Sequence, residues 1–415
     1  MSRRGFLGAA GGLTAATGAG VVVGDDHAAP AAGSTATAVA SGGVEPFHGR
    51  HQAGISTPPQ LHTHFVALDV TTDERKEVVG LLRRWTRVGA TLAAGDRPGA
   101  ASGGGVDSGE ALGLPPARLT VNFGFGPGLF ATGGDDRFGL RSVQPWQLVE
   151  LPPFPGDALE SAATGGDLSL HVCADDPQVV FHAVRSLVRA AEGVARVRWA
   201  QPGFNETAAT EGTPRNLMGF KDGTLNPATT AQLAAAVWVG AEGPDWMTGG
   251  TYLVVRRIRM DLAAWDALGV SAQERVIGRH KVSGAPLGAE HEADPLRLSA
   301  RTAAGDLVIP ADAHVRLASP AQNWDSVILR RSYSYANPST GAAASSGPGP
   351  PEPLDAGLLF FSYQRNPRLS FVPIYRKLSA NDALRRFTVH TASAIFALPS
   401  GVTAPGRWVG AALFA

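Results

Sequence analysis

The sequence predicts an α+β fold: two ferredoxin-like halves, each with the element order β-α-β-β-α-β, packed together behind a removable N-terminal segment. Three observations predict it. The 415 residues exceed what one ordinary core needs and suit two domains of about 100–200 residues each. Apolar residues recur with period two in some stretches and with period 3.6 in others, the marks of half-buried strands and amphipathic helices. The same order of stretches then occurs twice along the chain. No residue-level repeat accompanies it, so the duplication is one of element order alone. The expected division is 1–45 for the N-terminal segment, 46–207 for the first half and 208–415 for the second.

In the first half, Leu61 to Val70 reads as a strand and Thr72 to Val88 as a helix that turns Val78, Leu82 and Trp85 to one face. Thr71-x-x-Glu74 reads as a capping box at its start. Strands follow at Arg118 to Phe123 and Asp167 to Cys173. Asp176 as N-cap and Pro177 in the first turn open a second helix, with Val180, Val184, Leu187, Val188 and Ala191 facing inward. Val194 to Ala200 closes this half as a strand. The second half repeats the order with a strand at Thr251 to Arg259, a helix near Leu262 to Leu268, and strands at Ser326 to Tyr335 and Gly357 to Gln364. A helix near Ala380 to Phe387 and a strand at Ser393 to Leu398 complete it. The stretch from Pro338 to Pro353, rich in Gly, Pro, Ser and Ala, reads as a surface loop.

Lys plus Arg and Asp plus Glu balance at 36 each, so no net field points to nucleic acid or an anionic membrane as partner. A small molecule fits the composition better. With one cysteine, Cys173, the chain can form neither an internal disulfide nor a cysteine-held metal cluster. Any metal is left to histidine, carboxylate or a cofactor. At the N-terminus, Arg3 and Arg4 stand directly before an apolar, Ala/Gly-rich run that reaches Val21-Val22-Val23, which resembles a twin-arginine export signal. The short, glycine-interrupted run argues against a stable membrane span. The composition up to about Gly43 reads as a disordered linker around the cleavage point. This implies the twin-arginine export machinery as a partner, a periplasmic, cell-envelope or extracellular location, and a chain that folds and takes up any cofactor before it crosses.

Three segments far apart in sequence carry the chemistry: Gly219-Phe220-Lys221-Asp222-Gly223-Thr224, Asp312-Ala313-His314-Val315-Arg316-Leu317, and Ile328-Leu329-Arg330-Arg331-Ser332-Tyr333-Ser334-Tyr335. Singly they say little. Asp222-Gly223 is a turn signal, His314 is one of eleven histidines, and Arg330-Arg331 fits a strand whose successive side chains point to opposite faces. Together they resemble the dye-decolorising peroxidase family, and within it the exported deferrochelatase/peroxidase branch. The resemblance extends through Asn122 to Gly128, Pro214 to Met218, Ile277-Gly278-Arg279 and Gly284 to Gly288, and covers the chain from about Leu61 to its C-terminus.

That resemblance implies one haem b per chain, bound by the second half, with hydrogen peroxide and small phenolic or dye-type reductants as partners. It assigns His314 to the iron, leaving the opposite face open for peroxide. Asp222 is implied as the carboxylate that takes the first peroxide proton and returns it to the leaving oxygen. Arg330 is implied as the cation that meets developing negative charge, which leaves Arg331 for solvent or an interface. Gly223, Thr224, Leu225, Arg279, Ser319 and Arg330 are implied to contact the haem, Arg279 through a haem carboxylate. The hydrogen-bond partner of His314 stays open: relatives carry an acid after the Ala-Leu pair, whereas Ala383-Leu384 is followed here by Arg385-Arg386, and Asp382 is the nearest carboxylate. Trp265, Trp324, Tyr333 and Tyr335 are either electron relays to surface donors or core packing.

A second reading is a haem-binding, iron-recovery protein that handles haem as cargo. Asp222 together with Arg330 favours the enzyme, because a carrier needs neither. A third, a haem enzyme acting on chlorite, lacks this aspartate motif and ranks last. The sequence leaves the oligomeric state open, a homo-oligomer among the outcomes.

Overall fold

The computed structural model describes residues 43–97, 99, 109–206, 213–338 and 354–415. The segment read as an export signal, most of the expected linker and the stretch from 339 to 353 lie outside the described residues. In the first half, β1 (His62–Val70), β2 (Thr120–Phe125), β3 (Leu168–Ala174) and β4 (Ala195–Phe204) pair antiparallel in the spatial order β4-β1-β3-β2. Helices α1 (Arg75–Ala93) and α2 (Pro177–Ala190) make the two crossovers. The Nε1–H of Trp85 on α1 donates to the Leu187 carbonyl of α2 at 2.8 Å. Leu82, Trp85, Phe123 and Leu187 are fully buried there, and each such leucine or phenylalanine contributes about 1.5–3 kcal/mol.

After α3 (Thr230–Ala236), the second half builds the same arrangement from β5 (Thr251–Met260), β6 (Leu329–Arg330), β7 (Tyr333–Pro338), β8 (Leu354–Gln364) and β9 (Thr388–Leu398). The order is β9-β5-β8, with β6 and β7 both on the far side of β8. Its helices are α4 (Leu262–Asp266), α5 (Val270–Ile277), α6 (His314–Ala318) and α7 (Phe371–Asn381). The halves meet edge to edge at two pairings, Phe204 with Ser334 and Phe125 with Ala397. These join the two sheets into one continuous nine-stranded array in which β5 also pairs with β8, so the sheet closes on itself. Phe65 sits inside it, with ring centroids 5.7 Å from Phe361 and 5.9 Å from Phe396. Alternation then fixes the other face. Leu359 and Phe361 of β8 pack in this inner core, whereas Leu358 and Phe360 face the opposite way, into a cavity beneath the helices of the second half.

The β-α-β-β-α-β order of both halves agrees with the sequence reading, and four local expectations need correction. The Thr71–Glu74 box does not form: Glu74 is the N-cap without a side-chain bond, and its N–H takes Thr72 Oγ1 at 3.1 Å. Ser326 to Tyr335 is not one strand, because the chain leaves the ladder at Arg331-Ser332 between β6 and β7. The helix expected near Ala380 to Phe387 is α7, ending at Asn381, followed by a 3-10 turn Ala383–Arg386. Pro373 lies in the first turn of α7, where its missing N–H costs nothing. Asp176 does cap α2, accepting from Gln178 N at 2.7 Å and Val179 N at 3.1 Å. Finally, α3 and α5 have no counterpart in the sequence reading, although Thr229 and Gln232 form a full capping box on α3. Among the described residues no helix is long and apolar enough to cross a membrane.

Candidate active site

The cavity under the second-half helices has a volume of about 330 Å³. Its walls include Ile258 and Met260 from β5, Leu358 and Phe360 from β8, and Ile374 and Leu378 from α7. On the helical side His314 is the first residue of α6. Its Nδ1–H donates to Oδ2 of Asp382 at 2.6 Å. The other oxygen of Asp382 accepts from Leu384 N at 2.8 Å, capping the 3-10 turn, and Ala383 N donates to the Asp312 carbonyl at 3.0 Å. Two segments remote in sequence are thereby stitched together, and the imidazole is held in one tautomer. Asp382 is 5% exposed and His314 31% exposed, and His314 lines the cavity. Nε2 is thus the ring nitrogen left for a ligand. Burial alone would lower the His314 pKa, but the charge and hydrogen bond of Asp382 outweigh it and hold the pKa above the ordinary histidine value.

Asp222 and Arg330 line the same cavity, with Arg330 Nη1 donating to Asp222 Oδ1 at 2.9 Å. The loop carrying Asp222 folds back on itself: Arg215 bridges to Lys221, and Asp222 N donates to the Pro214 carbonyl at 2.9 Å. Gly223 has φ +118°, a conformation that L side chains rarely adopt. Asn226 completes the turn and clamps the strand opposite. Its Oδ1 accepts from Arg330 N at 3.0 Å and its Nδ2 donates to the Arg330 carbonyl at 2.7 Å.

The residues that the resemblance assigned to iron, peroxide or haem all line this one cavity: Asp222, Gly223, Thr224, Leu225, Arg279, His314, Ser319 and Arg330. Arg279 is buried, and its Nη1 donates to the carbonyls of Gly284 at 2.7 Å and Glu292 at 2.9 Å. The Thr224 hydroxyl donates to Glu292 Oε1 at 2.8 Å, and that of Ser319 to the Arg316 carbonyl at 2.8 Å. Leu225 is exposed. A second cavity of about 320 Å³, lined by Asn205, Arg331 and Ser332 among others, shares Asp222, Gly223 and Arg330 with the first. The Asp222–Arg330 pair therefore lines both cavities.

Arg331 is not at solvent. It is buried and bonds the Thr57 carbonyl and Gln60 Oε1 of the first half. Trp265 packs against Phe220 and Phe387 at 5.9 and 5.2 Å, while Tyr333 and Tyr335 lie in the inner core. Trp324 differs, being 84% exposed. The sequence reading missed Asn226 and Glu292, and left Asp382 unplaced. Asp382 stood out only as the carboxylate nearest the Ala383-Leu384 pair, and the Asn226-Pro227 turn signal is the one local mark near Asn226.

The cavity suits a flat apolar macrocycle with a central metal. One wall offers a single imidazole with Nδ1 anchored and Nε2 spare, another a carboxylate–guanidinium pair, and buried Arg279 can meet a carboxylate substituent.

Comparison with known proteins agrees. The N-terminal Dyp-type peroxidase family model matches residues 52–205 and the C-terminal one residues 213–403. The dye-decolorizing peroxidase of Thermobifida fusca is 42% identical over 376 residues, which is 86% of this chain and 82% of that protein. A deferrochelatase of Escherichia coli K12 is 36% identical over 386 residues, 89% of this chain and 87% of that one. The crystal structure of a DyP-type peroxidase from Streptomyces coelicolor superposes with a TM-score of 0.83 at 42% identity, covering 90% of this chain and 98% of that one.

Proposed function

This chain belongs to the Dyp-type peroxidase family and is a haem-dependent peroxidase, and from that premise we propose how its own side chains divide the work. When bound, the haem supplies the iron at which the peroxide oxygen–oxygen bond is cleaved and from which oxidising equivalents pass to a donor. His314 would hold the iron through Nε2, the ring nitrogen that Asp382 leaves spare. Asp382 fixes that ring through Nδ1 and raises its electron-donating power. Asp222 takes the proton from the inner peroxide oxygen and delivers it to the outer, leaving oxygen, so that water departs. Arg330 faces the negative charge that develops as this bond breaks. Arg279 would pair with a haem carboxylate, and Gly223, Thr224, Leu225 and Ser319, which line the cavity, would lie along the ring. The second cavity, which shares Asp222 and Arg330 with the first, is the proposed route for peroxide.

The observation that carries this reading is that the His314–Asp382 and Asp222–Arg330 pairs line one cavity. Phenolic compounds and dyes are the proposed electron donors. A preparation with one haem b per chain should consume peroxide and oxidise such donors. A fully loaded protein that leaves peroxide untouched contradicts the reading.

The relatives named deferrochelatase support a second reading, in which the same cavity releases iron from haem. We further propose export through the twin-arginine route, on the pattern at Arg3-Arg4, and a domain boundary near residues 207–208, which the limits of the two family matches support.

A further inference from the structure

We propose that Glu292 is a positioning residue for peroxide chemistry, gripping the loop of Asp222 from both sides and tying that loop to Arg279 in the wall of the haem cavity. The proposal rests on Asp222 being the proton-transfer group.

The second-half sheet reaches this loop through Arg330, whose guanidinium donates to Asp222 and whose backbone bonds Asn226, while the neighbours of Asp222 in sequence are anchored elsewhere. Lys221, immediately before it, pairs its ammonium with Glu292 Oε2. Thr224, two residues after it, donates its hydroxyl to Glu292 Oε1 at 2.8 Å. Thr213, where the described part of this loop begins, donates to the same oxygen. Three donors from one loop thus converge on one carboxylate, a group that only accepts when ionised. Charge assistance makes these bonds stronger than neutral ones. The ion pair is mostly enclosed, with side chains 16% and 20% exposed. Burial by itself would raise the Glu292 pKa, but Lys221 and the two threonines outweigh it and keep it below the ordinary carboxylate value.

The backbone of Glu292 faces the other way in function. Its carbonyl accepts from Arg279 Nη1 at 2.9 Å, and the same nitrogen donates to the Gly284 carbonyl. Gly284 has φ +76°, and a Cβ there would stand 2.7 Å from Lys221 Cδ, so the turn at 284 lies directly on the lysine stem. One residue therefore joins the haem-facing Arg279 to the segment on which Asp222 rides.

A staple that merely stabilises the fold and a residue that acts through Asp222 differ in a double-mutant cycle. The test uses the haem-loaded full chain as wild type, Glu292→Ala, Glu292→Gln, Asp222→Asn and the double variant Asp222→Asn/Glu292→Ala. Two quantities are read: the rate of the first peroxide-dependent change in the Soret band across pH, and amide hydrogen exchange over residues 213–226. Glu292→Ala should keep its haem, exchange faster in that loop, and slow the peroxide step by up to about a hundredfold, the scale for a misplacement near 1 Å. Glu292→Gln keeps an acceptor for the threonines and should recover part of the rate; it also serves if the alanine variant does not fold. In the Asp222→Asn background the alanine substitution should change the rate by less than about twofold. An equal loss in both backgrounds, or unchanged exchange with an unchanged rate, overturns the proposal. A wild-type rate for Asp222→Asn alone instead overturns the role of Asp222, and hydrogen exchange then shows separately whether Glu292 orders the loop.

Discussion

Asp382 accepts a 2.6 Å hydrogen bond from Nδ1 of His314 while its second oxygen caps the turn that begins at Ala383. The carboxylate is itself locked, so the imidazole it orients has no freedom to swap ring nitrogens. Asp382→Asn keeps the shape and removes the charge. Electron donation through His314 should fall, which raises the reduction potential of the iron, with a loss of about 10- to 100-fold in cofactor affinity or activity. Redox titration of the variant checks the direction. An unmoved potential would mean that the carboxylate only orients the ring.

His314→Ala should strip or greatly weaken haem binding while the chain remains folded. His314 contributes little to the core, since its side chain opens into the cavity. Circular dichroism and haem counted per chain check the two halves of this statement. Full haem with an unchanged Soret band would place another residue on the iron.

Asn226 brackets the backbone of Arg330 with two hydrogen bonds, at 3.0 and 2.7 Å. Asn226→Ala leaves a part-buried N–H and C=O without those partners, which should cost about 1–3 kcal/mol of stability. The peroxide step should slow as well, because Arg330 loses its register. Urea unfolding and peroxide kinetics on the same preparation check both. A variant as stable and as fast as wild type would show that water replaces the amide.

Arg3→Lys combined with Arg4→Lys should retain the protein inside the cell. Fractionation of cells expressing the double variant checks this, and unimpaired export would remove the twin-arginine reading.

The residues lining the cavity were legible only because three short segments, taken together, resemble a known family; singly Asp222-Gly223 reads as a turn, His314 as one of eleven histidines and Arg330-Arg331 as an alternating strand. Asp382 was not placed, since its contact with His314 spans 68 residues and nothing local marks it. Glu292 sits in a connection rich in glycine, proline and charge, where a lone acid reads as a solvated side chain. Alternation puts Arg331 opposite Arg330, but it cannot say what covers that face. The first half does, through Thr57 and Gln60. The last helix lies earlier than the sequence suggests, at Phe371–Asn381, with Pro373 in a first turn that tolerates it.

The most direct test of the central claim compares Asp222→Asn and Arg330→Leu with wild type by stopped-flow mixing of the haem-loaded protein with hydrogen peroxide. Both groups are proposed to act once peroxide is bound, so haem occupancy should stay nearly intact in each variant. Loss of the proton-transfer group should slow the first spectral change by about two to four orders of magnitude. Removing the guanidinium should slow it roughly a hundred- to thousandfold. If both variants react with peroxide as fast as wild type, neither residue is catalytic, and the reading in which the cavity serves haem as cargo takes precedence.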